Sequence, residues 1–84
     1  MNKINTKHEA EQLAACYLSG LSVGRRKIDV DVHADRHEGS YWYILVTPKQ
    51  SIPDTLRYYE VLAKIETKIH RETGEDLLFV PASV

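Results

Sequence analysis

A single cysteine, Cys16, stands in 84 residues, which excludes an intrachain disulfide and a multi-cysteine zinc site and fits a reducing compartment. Neither sign of charge dominates: 11 Lys and Arg meet 12 Asp and Glu for a net −1, so bulk charge argues for neither nucleic acid nor a membrane surface. No apolar run is long enough to span a bilayer, the longest block being residues 41–46. The opening MNKINTKHEAEQ has no apolar signal-peptide core, and a cytoplasmic location is expected. Repeats and low-complexity tracts are missing. So are a Gly-rich phosphate loop after a strand and a Ser or Cys on a strand-to-helix elbow, which leaves no named catalytic chemistry. Even length is scarce. A chain this short buries only roughly 60–65% of its unfolded surface, and homo-oligomerisation is one way to add burial.

What is present is organised around residues 51–74. Tyr58, Leu62, Ile65 and Ile69 recur at helical spacing, Val61 widens the stripe, and Arg57, Glu60, Lys64, Thr67 and Arg71 take the far side. The pattern predicts a helix over about 52–73, with Ser51 and Asp54 as an acidic capping box, Pro53 in the first turn and Gly74 as a left-handed stop. Thr6 and Glu9 form a capping-box pair that opens a first helix over about 6–19, with Gly20 as its stop. Cys16, beside the apolar stripe of that helix, is expected to be a small core residue.

Residues 27–35 alternate with period two. Ile28, Val30, Val32 and Ala34 take one face, and Asp29, Asp31, His33 and Asp35 the other, as in a half-buried antiparallel strand. Residues 36–40 read as a hairpin loop carrying Gly39. Strands apolar on both faces follow at about 41–47 and 76–81. The fold class is therefore α+β: a two-layer α-β-β-α-β domain over residues 1–84, with a three-stranded mixed sheet and both helices on one face. A right-handed crossover through the long helix makes the last strand parallel to the one before it.

This order of elements resembles that of ring-building domains of secretion systems, of phospholipid-binding periplasmic domains and, with an added helix, of KH-type RNA binders. The likeness is one of element order alone and carries no residue across. The Gly-x-x-Gly loop of KH modules and the export signal of the periplasmic ones are both missing from this sequence.

With both helices on one face, the other lacks a cover. Asp29, Asp31 and His33 are expected there, joined by Tyr41, Tyr43 and Leu45 once Trp42, Ile44 and Val46 point inward. A part-aromatic, part-acidic sheet face marks a contact surface. It suits single-stranded nucleic acid poorly, because two carboxylates beside the rings repel phosphate. Basic residues gather elsewhere, as Arg25, Arg26 and Lys27 before the first strand and Lys64, Lys68 and Arg71 on the long helix, where Glu60 and Glu72 are expected to pair with Lys64 and Lys68. They form the alternative, a nucleic-acid contact.

The run Asp29, Asp31, His33, Asp35, His37 carries metal-ligand chemistry at every second position. Alternate strand residues sit about 6.7 Å apart, too far for three to share one ion without a bend, so no metal is assigned. His37 falls in the loop, while His33 alone has acidic neighbours. The expectation is a small non-catalytic cytoplasmic protein of bacterial type, with no cofactor and no membrane partner. It works by protein–protein contact and self-associates through the open face or a sheet edge. Metal-binding or enzymatic work around Asp31 and His33 ranks behind both alternatives.

Overall fold

The computed structural model describes residues 4–82. Helix α1 spans Lys7–Leu18, strands β1 Ser22–Val23 and β2 Arg26–Lys27 make a small hairpin, and β3 Val30–Glu38 and β4 Tyr41–Pro48 make a long one. Helix α2, Thr55–Thr73, then crosses to β5, Asp76–Pro81. The three-stranded sheet has the order β3-β4-β5, with β3 antiparallel and β5 parallel to β4. This is the expected mixed α+β architecture with a two-stranded ribbon added.

The helix ends follow from local chemistry. Thr6 accepts the Glu9 N–H while the Glu9 carboxylate accepts the Thr6 N–H, so two orphan donors of α1 are satisfied reciprocally. α2 begins later than the sequence pattern suggests. Its cap is Asp54 alone, accepting from the Arg57 N–H at 3.0 Å, and Ser51 and Pro53 lie ahead of the helix. Gly74 closes it with φ 77°, a conformation that costs glycine least.

Both helices roof the face of the sheet that carries Ala34, Trp42, Ile44, Val46, Leu77 and Phe79, all buried. α1 lies over β3 and α2 over β5, and β4 runs beneath both. Ala10 and Ala14, fully buried, let α1 sit close to the strands. Tyr58, Leu62 and Ile69 are the buried side of α2. The β1–β2 ribbon rests against α2 and adds Leu21, Val23 and the following Ile28 to the same cluster.

Three expectations need correction. Residues 27–35 are not one strand: Lys27 pairs with Ser22 in the small ribbon, and β3 starts at Val30 and runs on through the predicted loop to Glu38. Only Gly39 and Ser40 turn the chain, with Gly39 at φ 60° as the first central residue of a II′-type hairpin. Cys16 is exposed rather than core, because Ala10, Ala14 and Leu18 already fill the inward line of α1. Glu72 accepts the Tyr17 hydroxyl at 2.7 Å and so ties the two helices together, instead of pairing with Lys68.

Each roof helix also caps a sheet edge. Glu11 of α1 accepts the Ala34 N–H on the outer side of β3 at 2.8 Å, and Glu66 of α2 accepts the Phe79 N–H on the outer side of β5 at 2.6 Å. An unpaired strand edge is a template for unwanted pairing, and these two carboxylates occupy part of it.

Candidate functional site

The face opposite the helices has no covering element among the described residues. Its side chains are set by the pairing register. Asp31 lies beside Thr47, and three rows cross the sheet from β3 through β4 to β5: His33, Leu45 and Val80; Arg36, Tyr43 and Leu78; Glu38, Tyr41 and Asp76. Tyr41 is 46% exposed and Leu78 36%, while Tyr43, Leu45 and Val80 are half-buried by their neighbours alone. Tyr41, Tyr43, Leu45, Asp31 and His33 therefore share the face on which they are expected. Asp29 precedes the strand, exposed, with its main chain tied to Lys49 and Gln50.

The face is less acidic than the alternation implies, and a β-bulge explains why. The register shifts between Ala34 and Arg36, so Asp35 has no partner on β4 and every residue after it changes sides. Arg36 thereby joins the open face. Its guanidinium lies 4.6 Å from the centre of the Tyr43 ring and pairs with Glu38. Asp31 is met by Lys49 at 3.5 Å. His37, moved to the roofed side, stacks on Trp42 at 4.4 Å between ring centres and 5° between planes.

The same bulge breaks up the Asp/His run. His33 turns to Glu11, with Nδ1 3.3 Å from the carboxylate, and Asp35 and His37 diverge. Among the described residues no three His, Cys, Asp or Glu side chains gather closely enough to hold an ion.

The basic residues lie on the other layer. Gly24, at the tip of the β1–β2 ribbon beside Arg25, lines one groove with Leu56, Arg57, Val61 and Lys64 of α2. Asp54 and Glu60 line the same groove, so its charge is mixed. Lys68 and Arg71 lie one and two turns further along α2, and Lys27 lines a different groove between α1 and β3. The helix roof separates all of them from Tyr41 and Tyr43.

Sequence reasoning missed Arg36 on the open face and the edge-capping Glu11 and Glu66, and it left the register of the last strand open, which the pairing settles with Leu78 and Val80 on that face. The Gly39–Ser40 pair between two strand-like runs is a hairpin signal that extends β3 and brings Arg36 into it. Nothing in the sequence announces the bulge. No family model matches the chain, and no curated protein or solved structure matches it. Among the described residues no helix is long and apolar enough to cross a membrane.

Proposed function

We propose that this chain is a non-catalytic protein–protein interaction module that self-associates or docks a partner protein through its uncovered sheet face or a sheet edge. The observation that carries this reading is the row of Tyr41, Tyr43, Leu45, Leu78 and Val80 on a face with no roof among the described residues. Arg36 over the Tyr43 ring sets a guanidinium beside an aromatic, two residue types enriched at interfaces. Arg36, Glu38, Asp31 and Lys49 form the polar surround expected of such a patch. Replacing Tyr43 with Asp is expected to weaken association made through this face by about tenfold or more. Light scattering that gives the mass of one chain at high micromolar concentration removes the self-association part.

The second reading is nucleic-acid contact through Arg25, Arg26 and the basic side of α2. In its favour, the ribbon tip and Arg57 and Lys64 line one groove. The interleaved Asp54 and Glu60, and the distance from any aromatic platform, count against it. It predicts binding that falls steeply with salt and is lost when Lys64, Lys68 and Arg71 become Glu. Failure to retain single- or double-stranded nucleic acid at low salt disposes of it.

A further inference from the structure

The two edges of the sheet are closed to different degrees. On β5 the outward positions are Leu77, Phe79 and Pro81: Glu66 takes the Phe79 N–H and Pro81 has none to offer, which leaves one open donor among the described residues, at Leu77. On β3, Lys49 donates to the Asp29 carbonyl, so Asp29, Asp31 and His33 bond inward to β4. Val30, Val32 and Ala34 then direct their N–H and C=O groups outward. Glu11 takes the Ala34 donor, and among the described residues nothing receives those of Val30 and Val32. Beside them, between β3 and the C-terminal half of α1, runs a groove of about 200 Å³ lined by Ala15, Leu18, Ile28, Val30 and Val32.

The α1 wall of that groove is uncharged, while Lys27, Asp29 and Lys49 line it from the strand side. No Asp, Glu, Lys, Arg or His occurs from Gln12 through Gly24, and Gln12, Ala15, Cys16 and Ser19 are exposed there. The exposed side of α2, by contrast, carries Arg57, Glu60, Lys64, Lys68, Arg71 and Glu72. Depletion of charge is the compositional mark of the buried centre of an interface.

We infer that a second copy of this chain occupies the β3 edge, pairing antiparallel with its own β3 about a two-fold axis at Val32. Such an axis makes the contact isologous and closed. Charge complementarity selects the register. An axis at residue 30 sets Asp29 opposite the partner's Asp31, and one at 31 sets Asp31 opposite its own copy. An axis at 33 sets His33 against its own copy. Only the axis at Val32 sets Asp31 opposite the partner's His33, twice, a carboxylate facing an imidazole; the Asp29–Asp35 pairs it also creates lie off the regular ladder, since Asp29 precedes β3 and Asp35 is the unpaired bulge residue. In that register the Val32 N–H groups of the two copies bond each other's carbonyls, and each Val30 N–H meets the partner's Ala34 carbonyl. The Glu11 carboxylate and the partner's Val30 carbonyl then share the Ala34 N–H. The product is a six-stranded sheet whose open face, with Tyr43 on it, is doubled and still uncovered.

This inference rests on the self-association proposed above, and amide exchange separates the two. In the untagged wild-type protein, light scattering is expected to give two chains at high micromolar concentration. Exchange of the Val32 amide is expected to slow as concentration rises, with the Asp31 and His33 amides, already inside the sheet, as references. Asp31→Lys is expected to weaken the dimer by about tenfold, and Asp31→Lys with His33→Asp, which restores opposite charges across the axis, to recover it. A dimer whose Val32 amide ignores concentration overturns the edge contact and leaves self-association standing; a one-chain mass overturns both. A protected Val32 without recovery in the double variant overturns the register. If either variant fails to fold by circular dichroism, the wild-type exchange profile alone decides.

Discussion

Glu66 offers the sharpest test of how this small sheet is held, because its carboxylate has two opposed effects. It accepts the Phe79 N–H at 2.6 Å, a bond to a charged acceptor at an edge that would otherwise carry an unpaired donor on a residue only 5% exposed. Such bonds contribute about 1.5–3 kcal/mol. Against that, burial pushes the Glu66 carboxyl above its ordinary value of 4.5, and the Phe79 N–H pulls it only part of the way back. The side chain is half-buried, so solvent screens both effects. Glu66→Ala is therefore expected to cost about 1–2 kcal/mol, a fall in Tm of about 5–15 °C for a chain of this length. Glu66→Gln keeps a carbonyl acceptor and removes the charge, and should stay within about 0.5 kcal/mol of wild type. The folded carboxyl binds its proton more tightly than the unfolded one. Wild-type stability should then fall as pH rises from the ordinary glutamate value through the raised one, and that component should vanish in Glu66→Gln. Thermal melts of the three proteins from pH 4 to 7 read all of this. Equal losses in the Ala and Gln variants would refute the hydrogen bond as the source; no loss in either would refute the edge cap altogether.

Other outcomes follow from single features. The Tyr58 hydroxyl is buried with no hydrogen-bond partner among the described residues, and burial raises its pKa, with Tyr59 adding to the shift. Tyr58→Phe should accordingly leave stability unchanged or raise it by up to about 1 kcal/mol in urea unfolding. Gly74→Ala forces a side chain into φ 77° at the end of α2 and should cost about 1 kcal/mol by the same assay. Cys16, being exposed, should react fully with a thiol reagent in the native protein, and Cys16→Ser should shift stability by less than about 0.5 kcal/mol.

The features legible in the sequence are those written in local patterns. The Thr6–Glu9 capping box, the Tyr58–Leu62–Ile69 line and the Gly74 stop each depend on residues within a turn or two of one another. The crossover rule then supplies the parallel β4–β5 pair, and the unroofed face follows from counting layers. What escaped depends on long-range register. The Asp35 bulge turns Arg36 outward and His37 inward, although both strands alternate cleanly on paper. Cys16 was misplaced because its neighbours on the helix wheel are apolar, whereas the angle at which α1 meets the sheet favours Ala10 and Ala14 as the contact line. Edge caps such as Glu11 and Glu66 join residues 23 and 13 positions apart, with no periodic signature to mark them.

Those two glutamates bear on function as much as on stability. A three-stranded sheet with one roof has three surfaces at risk of unwanted pairing: its bare face and its two edges. Capping costs something in each case, since it takes a helix carboxylate out of water. A chain selected only to stay monomeric would close both edges alike. Here β5, with Glu66 at Phe79 and Pro81 beyond it, keeps one open donor, at Leu77, while β3 is closed at Ala34 alone and left open at Val30 and Val32, beside the stretch of the chain from which charge is absent. The open half-edge also ends one residue from His33, whose ring already bridges to Glu11 and which lies beside Leu45 on the bare face. A contact made at the edge thus adjoins the face, and pairing at Val32 would extend the Tyr43 surface across the axis without covering it. On this view the edge joins copies and the face meets whatever the pair acts on. The two roles separate experimentally: Tyr43→Asp should leave a Val32-centred dimer intact while abolishing capture of a partner, and loss of both together would mean that a single surface serves both.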